Sequence, residues 1–483
     1  MINLQEYLPG ATTIFSLFSI LLAIFCSGHA ILYKSDSRAA IGWVGIIWLV
    51  PILGSVLYFL LGINRVRRLA KLMREDTNCL MIPDNPYVST DFEIARCFPN
   101  PSFITLAKLG NKITGRPLLN GNKITPLVNG DEAFPRMLDA IENATKSISL
   151  STYIFDNDQV GKHFIKKLSA AVARGVKVKV LIDDIGLRYS WRPVLKNLKA
   201  ENIAVARFMG ALRPMTFPHF NLRKHRKIMV VDGILAFTGG MNIRQGHQLS
   251  LLPKHPVMDL HFEVTGPLVT QLQEVFMEDW AFTTKQVLKG SDWLGKPSAT
   301  GTTIGRVITE GPDEDLFKLS MMIEGALSSA QDSIWILTPY FLPDSSMTRA
   351  LYIAASKGVS VNIILPSSNN LPFVQWASNP QLLPLIQHGC NIWFTPPPFD
   401  HTKLILVDDT WVLFGSANLD PRSLRLNFEL NVECYDEHLA RNLKILITEK
   451  LKFAHNMSED EMLDRTLPVR LRDGVARLFS PYL

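Results

Sequence analysis

Two long stretches near the start of the chain lack the usual mixing of apolar and polar positions. Residues 11–33 and residues 39–63 contain no Asp, Glu, Lys or Arg. Each is longer than the roughly 20 helical residues that cross a hydrocarbon core, so the pattern predicts two transmembrane helices. The link between them, Lys34–Arg38, is short, and the pair reads as a helical hairpin. A secretory signal would open on basic residues, and MINLQEYLPG has none. Pro51 and Gly54 fall inside the second stretch, where lipid tolerates them better than water does.

After a basic stretch and a connector rich in Pro and Asn (64–122), the pattern becomes one of short apolar runs alternating with helical stretches, and it occurs twice. AIENATKSISLSTYIF (140–155) and LSAAVARGVKVKVLIDD (168–184) read as helix then strand, twice over. IEGALSSAQDSIWILTPYF (323–341) and LYIAASKGVSVNIILPS (351–367) repeat that order. Lys146-Ser147-Ile148 lines up with Asp332-Ser333-Ile334, Phe155 with Phe341, and Arg174-Gly175-Val176 with Lys357-Gly358-Val359. Strands alternating with helices predict an α/β fold of two lobes, each a mixed sheet flanked by helices. The expected domains are a membrane hairpin (1–63), a juxtamembrane connector (64–122), a first lobe (123–300) and a second lobe (301–483).

Each repeat is followed by the same polar template. HRKIMVVDGILAFTGGMN (225–242) and HTKLILVDDTWVLFGSAN (401–418) share a His-x-Lys, an Asp five residues on, a small-residue turn and an Asn. The residues are His225, Lys227, Asp232, Gly239, Gly240 and Asn242, then His401, Lys403, Asp408, Gly415, Ser416 and Asn418. IMVV and LILV are β-formers, and alternation along a strand puts the His and Lys on one face. Asp232-Gly233 and Asp408-Asp409 are turn signals that end each strand. The small-residue turn lets backbone N–H groups approach an anion. A lone His-x-Lys would be an ordinary core histidine beside a surface lysine. Two, at matching points of a repeat, point to chemistry.

The chemistry that suits two histidines and two lysines is transfer at a phosphodiester. Lys227 and Lys403 would hold the non-bridging oxygens as charge builds. One neutral imidazole attacks phosphorus, and the other protonates the leaving alkoxide and then deprotonates the incoming alcohol. The expected catalytic set is His225, Lys227, Asp232, His401, Lys403 and Asp408, with the two aspartates shaping their turns and a salt bridge as one means of doing so. Asn242, Ser416 and Asn418 are expected to support it. A carboxylate downstream of each motif is the natural partner for the second ring nitrogen: Asp259 in HPVMDLHFEV and Glu429 in RLNFELNVE. No carboxylate cluster resembles a metal cage, so neither a metal nor another cofactor is expected.

Charge adds orientation. Arg65, Arg67, Arg68, Lys71 and Arg74 follow the second stretch, and such a cluster favours the cytoplasmic side and attracts anionic headgroups. The formal net charge of +6 suits an anionic surface, and it would suit nucleic acid equally. A nucleic-acid groove needs contiguous basic residues, whereas the lobes show scattered pairs such as Arg223-Lys224, and the hairpin would go unexplained. A non-catalytic scaffold would not need both His-Lys sets. The five cysteines (Cys26, Cys79, Cys97, Cys390, Cys434) show no CxxC spacing, which fits a reducing compartment. MGALRPMTFPHFNLRKH (209–225), with Phe217 and Phe220, reads as a loop that meets the lipid headgroup or as an exposed connector, and PPPFD (396–400) would flank the mouth of the site from the other lobe. His219, His247, His255 and His261 fit no template position and read as structural or exposed.

The doubled HxK(x)4D(x)6GSxN pattern resembles the phospholipase D superfamily. The hairpin running into GINRVRRLAK, NLRKHRKIMVVDG, AFTGGMNI, LDPRSLRLNFELNVECYD and the closing RLFSPYL are similar to bacterial cardiolipin synthases. Gly240, where Ser is commoner, departs from that pattern, which leaves Ser416 as the hydroxyl donor. The resemblance implies two lobes on a pseudo-twofold axis that share one site, in a protein of the bacterial inner membrane. It also implies a reaction joining two phosphatidylglycerol molecules into cardiolipin with release of glycerol, through a phosphohistidine on His225 with His401 as acid and base, or the two roles reversed. Anionic membrane lipid is then the partner, with no nucleotide and no nucleic acid. Hydrolysis to phosphatidic acid and phosphatidylethanolamine as donor stay open, as does the oligomeric state.

Overall fold

The computed structural model describes residues 8–34, 37–62, 86–90, 93, 94, 98, 100–189, 194–209, 222–313 and 315–480. They fall into two compact units, one of N-terminal helices and one that holds everything from residue 86 onward. The basic cluster Arg65–Arg74, most of 209–225 with Phe217 and Phe220, and Cys79 and Cys97 lie outside the described residues.

In the N-terminal unit the helix Leu8–Tyr33 runs 26 residues, about 39 Å, and is long enough to cross a bilayer. Its packing is inverted relative to a water-soluble bundle. Ala23, Cys26 and Ala30 face inward, while Phe15, Phe18, Phe25 and Leu32 face out. Small residues inside and large apolar residues outside are what lipid favours. One polar pair joins the helices: Tyr58 Oη and His29 Nδ1 lie 2.7 Å apart.

The second expected span is not one continuous helix. Ser37–Leu49, 13 residues and about 20 Å, ends at Val50, whose backbone (φ −137°, ψ 78°) leaves the helical region. Pro51 is the reason: it lacks an N–H and its ring disfavours the helical conformation of the preceding residue. A new helix, Pro51–Leu57, follows, then a single wide turn, Tyr58–Gly62. The new helix folds back on the old one so closely that a Cβ on Gly54 would lie 2.5 Å from the Ile46 carbonyl oxygen. Only glycine fits there. Neither short piece reaches across about 30 Å of hydrocarbon by itself.

The larger unit is built on the repeat. The first half supplies β1 (Leu119–Val128), β2 (Ser147–Thr152), β3 (Lys177–Asp183), β4 (Ala204–Phe208), β5 (Arg223–Lys224), β6 (Ile228–Val231), β7 (Leu235–Gly239), β8 (Val257–Met258) and β9 (Leu260–Thr265). The second supplies β10 (Thr303–Glu310), β11 (Ser333–Leu337), β12 (Ser360–Pro366), β13 (Asn391–Thr395), β14 (Phe399–Asp400), β15 (Leu404–Val407), β16 (Trp411–Gly415), β17 (Asn427–Tyr435) and β18 (His455–Asn456). Most join one sheet in the order β4-β3-β2-β6-β7-β9-β1-β10-β17-β16-β15-β11-β12-β13-β18. The order reads nearly the same from either end, and the antiparallel β1–β10 pair is the seam.

The runs of β-formers are central strands because helices cover both faces, which is why SISLST and LILV read as continuous rather than alternating. Each lobe has its own outer core, around Phe134 and Phe164 in the first and around Leu327 and Trp411 in the second. A third core is shared. Val264 and Leu272 of the first half pack with Val432 and Leu443 of the second, and the Phe262 and Phe414 rings stack 3.7 Å apart across the seam. The lobes are therefore one body, with the motif strands β6 and β15 on either side of it.

Candidate active site

The arm that precedes each motif crosses to the other lobe. β5 runs parallel to β17, and the His225 N–H donates to the Phe428 carbonyl at 2.9 Å. β14 runs parallel to β8, and the His401 N–H donates to the Met258 carbonyl at 2.8 Å. Each histidine thus enters its motif strand from a backbone held by the opposite half.

The carboxylates are exchanged accordingly. His225 Nδ1 lies 2.9 Å from Glu429 Oε2 and 3.1 Å from the Ser416 carbonyl. His401 Nδ1 lies 2.8 Å from Asp259 Oδ2. Chain order suggests a partner downstream of each histidine's own motif, and the crossed arms explain why the partner comes from the other one. Both carboxylates are fully buried. With Nδ1 donating to a carboxylate, Nε2 of each ring keeps its lone pair for attack or proton transfer.

The small-residue turns support the two carboxylates differently. Ser416 Oγ donates to Glu429 Oε2 at 2.6 Å and accepts from the Leu430 N–H at 2.9 Å. Asn427 Nδ2 donates to the other oxygen, Glu429 Oε1, at 3.0 Å. The expected hydroxyl donor, Ser416, is thereby engaged with a carboxylate. In the other half a Cβ on Gly240 would lie 2.3 Å from Asp259 Oδ1. Glycine at this position is what lets the shorter carboxylate fit.

The lysines complete the site. Lys227 Nζ donates to the His225 carbonyl at 2.6 Å, and Lys403 Nζ donates to the His401 carbonyl. Burial pulls Lys227 down to about 7 and Lys403 down to about 8. The same burial, joined by the neighbouring ammonium groups, lowers both histidines, His401 well below its ordinary value. Lys403 acts on His225 and Lys227 acts on His401, so all four groups share one field. Burial outweighs the cations at Asp259, whose pKa is raised. At Glu429 the His225 ring, Lys227 and the Ser416 hydroxyl outweigh it, and its pKa is lowered. The site is a buried pair of imidazoles shifted toward the neutral form beside two lysines whose charged form an anion would favour.

Asp232 and Asp408 stand apart from this pocket, at the far ends of β6 and β15. Among the described residues neither makes a salt bridge; their carboxylates bind backbone N–H groups instead. Asp232 accepts from the Thr145, Lys146 and Ser147 N–H groups and from the Thr145 hydroxyl, at 2.7–2.9 Å. Asp408 accepts from the Gln331, Asp332 and Ser333 N–H groups at 2.8–3.0 Å. Each clamps the start of the neighbouring strand, from a residue at positive φ (54° and 51°) that aspartate tolerates in a turn. Asn242 Oδ1 accepts from the Ile154 N–H at 3.1 Å, and Asn418 Nδ2 donates to Ser423 Oγ at 3.2 Å. The asparagines hold loops beside the histidines.

Apart from Phe399 of the PPPFD run, the other neighbours carried no readable signal. The Tyr153 ring lies edge-on to His225, centroids 5.2 Å apart, with Lys227 Nζ 5.7 Å from its centre. The Phe399 ring is 6.0 Å from His401, and buried His247 is 6.5 Å from it. Arg226, the middle residue of the first motif, donates to the Glu429 carbonyl at 2.9 Å and to Asp279 Oδ1 at 2.9 Å. Lys224 pairs with Asp279 Oδ2 at 2.7 Å. That buried cluster fixes the backbone that bears Glu429, and nothing in the sequence around Asp279 marks it out.

A family model described as "Cardiolipin synthase, PLD-like domain" matches residues 137–280 and 323–449, one span per lobe. The chain belongs to the cardiolipin synthase family. A second model, "Phospholipase_D-nuclease N-terminal", matches residues 17–62. The major cardiolipin synthase ClsA of Bacillus subtilis is 31% identical, covering 98% of this chain and 98% of its own. Cardiolipin synthase 2 of Staphylococcus epidermidis is 31% identical over 91% of this chain and 92% of its own. The crystal structure of phosphatidylserine synthase from Haemophilus influenzae covers 78% of this chain and 100% of its own, with TM-score 0.60 at 15% identity, and shares the fold. Membership in the cardiolipin synthase family makes the chain a phosphatidyltransferase enzyme of lipid biosynthesis. The long apolar helix agrees with its membrane association.

Proposed function

We propose that the chain transfers the phosphatidyl group of one phosphatidylglycerol to another, giving cardiolipin and glycerol. The observation that carries this reading is the exchange of carboxylates, which locks two imidazoles in one tautomer within a single pocket that also holds both lysines. His225 Nε2 attacks phosphorus while Lys227 and Lys403 hold the non-bridging oxygens. The bond from phosphorus to the glycerol oxygen breaks, and His401 gives its proton to that oxygen. Glycerol leaves. His401 then takes the proton of a hydroxyl on the second phosphatidylglycerol, whose oxygen displaces His225 from phosphorus. The incoming diester anion supports His401 as acid, because its charge opposes the burial and the neighbouring ammonium groups that lower the imidazole's pKa.

Both lipids already lie in a bilayer, so membrane attachment raises their effective concentration. The helix Leu8–Tyr33 is read as the crossing element. The lobes are placed on the cytoplasmic side from the basic residues Arg65–Arg74. Protease added to sealed inside-out vesicles is expected to cut the lobes, and protease added to right-side-out vesicles is expected to spare them.

The test of the reaction is to incubate membranes holding the full chain with labelled phosphatidylglycerol as sole substrate and no nucleotide. Cardiolipin and glycerol are expected, and neither from His225→Ala nor from His401→Ala. Phosphatidic acid in their place would make water the acceptor. No product would call for another donor, and phosphatidylethanolamine would be added next. A labelled phosphoenzyme is expected in His401→Ala, and one that survives only in His225→Ala would reverse the two roles.

A further inference from the structure

The helix Leu467–Leu478 carries its apolar residues on the outside. Leu467, Leu471, Val475 and Leu478 follow one another at helical spacing on one face, and they are 67%, 60%, 55% and 76% exposed. Phe479 extends the stripe. Polar contacts fix this orientation. On the opposite face Asp473 is fully buried, pairs with Arg465 and with Arg472 (2.7 Å), and accepts from Asn379 Nδ2 at 2.8 Å. Ala476, beside it, packs into the core with Ala377 and Leu342. Turning the leucines inward would break that clasp and bury none of the charges it now satisfies.

The patch does not end with the helix. Leu371 and Phe373, at the start of the helix Pro372–Gln387, are also exposed, and the Phe373 and Phe479 rings lie 5.7 Å apart. From there a polar and aromatic run leads to the second motif. Tyr340 Oη donates to Asn370 Oδ1 at 2.6 Å, the Tyr340 ring is 6.3 Å from Phe399, and Phe399 is 6.0 Å from His401.

The exposed charges carried by the helix itself have one sign. Between Leu467 and Ser480 the exposed charged residues are Arg470, Arg472 and Arg477, and the one acid in that interval, Asp473, is buried. Arg472 also lies over the Trp376 ring at 4.4 Å, spread along the apolar surface. An exposed apolar stripe edged by arginine is the surface that seats at the boundary of acyl chains and anionic headgroups. A second copy of the chain is the poorer occupant, because mating two stripes would bring their arginines together.

We infer that the stripe Leu467–Phe479, with Leu371 and Phe373, docks the catalytic body onto the face of an anionic bilayer. The seat is independent of the N-terminal helix and leads toward His401, where it would guide lipid to the second lobe. It rests on the lipid-transfer reading only for the choice of phosphatidylglycerol as probe.

The experiment uses the full chain reconstituted in vesicles of labelled phosphatidylglycerol and phosphatidylcholine, with p-benzoylphenylalanine at Leu471 or, as control, at exposed Glu437. Lipid photocrosslinking is expected at Leu471 about tenfold above Glu437, and reduced in phosphatidylcholine alone. Equal lipid yields at the two positions, or a crosslink from Leu471 to a second protein chain, would overturn the inference. The Leu471→Gln/Leu478→Gln variant is expected to raise KM for vesicle substrate about tenfold while turnover of a soluble short-chain phosphatidylglycerol holds. An unchanged vesicle KM would overturn it as well. The crosslink reports seating whether alcohol or water accepts the phosphatidyl group, so a failure of the reaction scheme and a failure of the docking surface give different results.

Discussion

The two halves of the body solve one problem with different parts. Each must hold a buried carboxylate at Nδ1 of the other half's histidine. The second half uses glutamate and steadies it with the Ser416 hydroxyl and the Asn427 amide. The first half uses aspartate, one methylene shorter, and brings it so near the turn that Gly240 has no room for a Cβ. The difference teaches that the small-residue turn is tuned to the length of its carboxylate. The residue at this position is selected by contact with the carboxylate, and a serine's presence does not by itself mark a substrate contact.

The sharpest way to break the comparison is to neutralise the carboxylates. Asp259→Asn and Glu429→Gln keep shape but offer the wrong group to Nδ1, and each is expected to lower kcat about 100- to 1000-fold. They should differ in the step they slow. Glu429→Gln acts on His225 and should prevent phosphoenzyme from building up. Asp259→Asn acts on His401 and should let it accumulate. Rapid-quench labelling distinguishes them, and identical phosphoenzyme levels would mean that the two histidines are not specialised.

Next in size is the turn itself. Gly240→Ser places atoms where Asp259 now sits, and the carboxylate must move away from His401. A displacement of that kind is expected to cost about 100-fold in kcat. Ser416→Gly removes one hydrogen bond to a glutamate that keeps its other partners, and about tenfold or less is expected. Steady-state assays on both variants decide it. Equal losses would show that the turns are interchangeable and that carboxylate length does not matter.

A smaller effect concerns the lysines, which differ in the same way. Lys227 near 7 loses its proton before Lys403 near 8 as pH rises. The ammonium is the form that binds a phosphodiester, so kcat/KM should fall on the alkaline side, starting with Lys227. Bound diester favours the ammonium, and kcat should hold to higher pH. Lys227→Arg carries a charge that does not titrate, and its alkaline limb should move up to that of Lys403. A limb that stays in place would assign it to another group.

Much of this was legible. The strands IMVV and LILV, the matching His-Lys pairs and the repeat units around them follow from alternation and spacing, which are local properties. Asp259 and Glu429 are acids in apolar, strand-like stretches downstream of each motif, although Glu263 and Glu433 follow in the same stretches. Their exchange was not legible, because it depends on β5 and β14 crossing the seam, and two-residue strands leave no periodic trace. Gly240 reads as a lost hydroxyl until the contact with Asp259 is visible. Pro51 illustrates the opposite error. Its effect on Val50 is local and readable, yet hydrophobicity alone fuses Ser37–Leu49 and Pro51–Gly62 into one span. The Lys224–Asp279–Arg226 cluster joins residues more than fifty positions apart, and no pattern within either segment connects them.

The least expected change in activity belongs to the aspartates that complete the two templates. Both bind backbone N–H groups at strand starts, far along the motif from the imidazoles, so their loss should spare chemistry and cost stability. They are not equal in this. Asp232 is buried and takes the Thr145 hydroxyl as well as its amides, while Asp408 is partly exposed and takes amides alone. Removing either leaves donors unpaired, and the penalty grows with burial. Asp232→Ala should therefore destabilise by about 2–3 kcal/mol and Asp408→Ala by about 1–2 kcal/mol, with kcat within about threefold of the parent for each. Thermal unfolding in detergent, followed beside an activity assay below the transition, separates the two effects. A loss of kcat without a fall in Tm would return these residues to the catalytic set. Equal destabilisation would show that water at Asp408 does not compensate for the lost carboxylate.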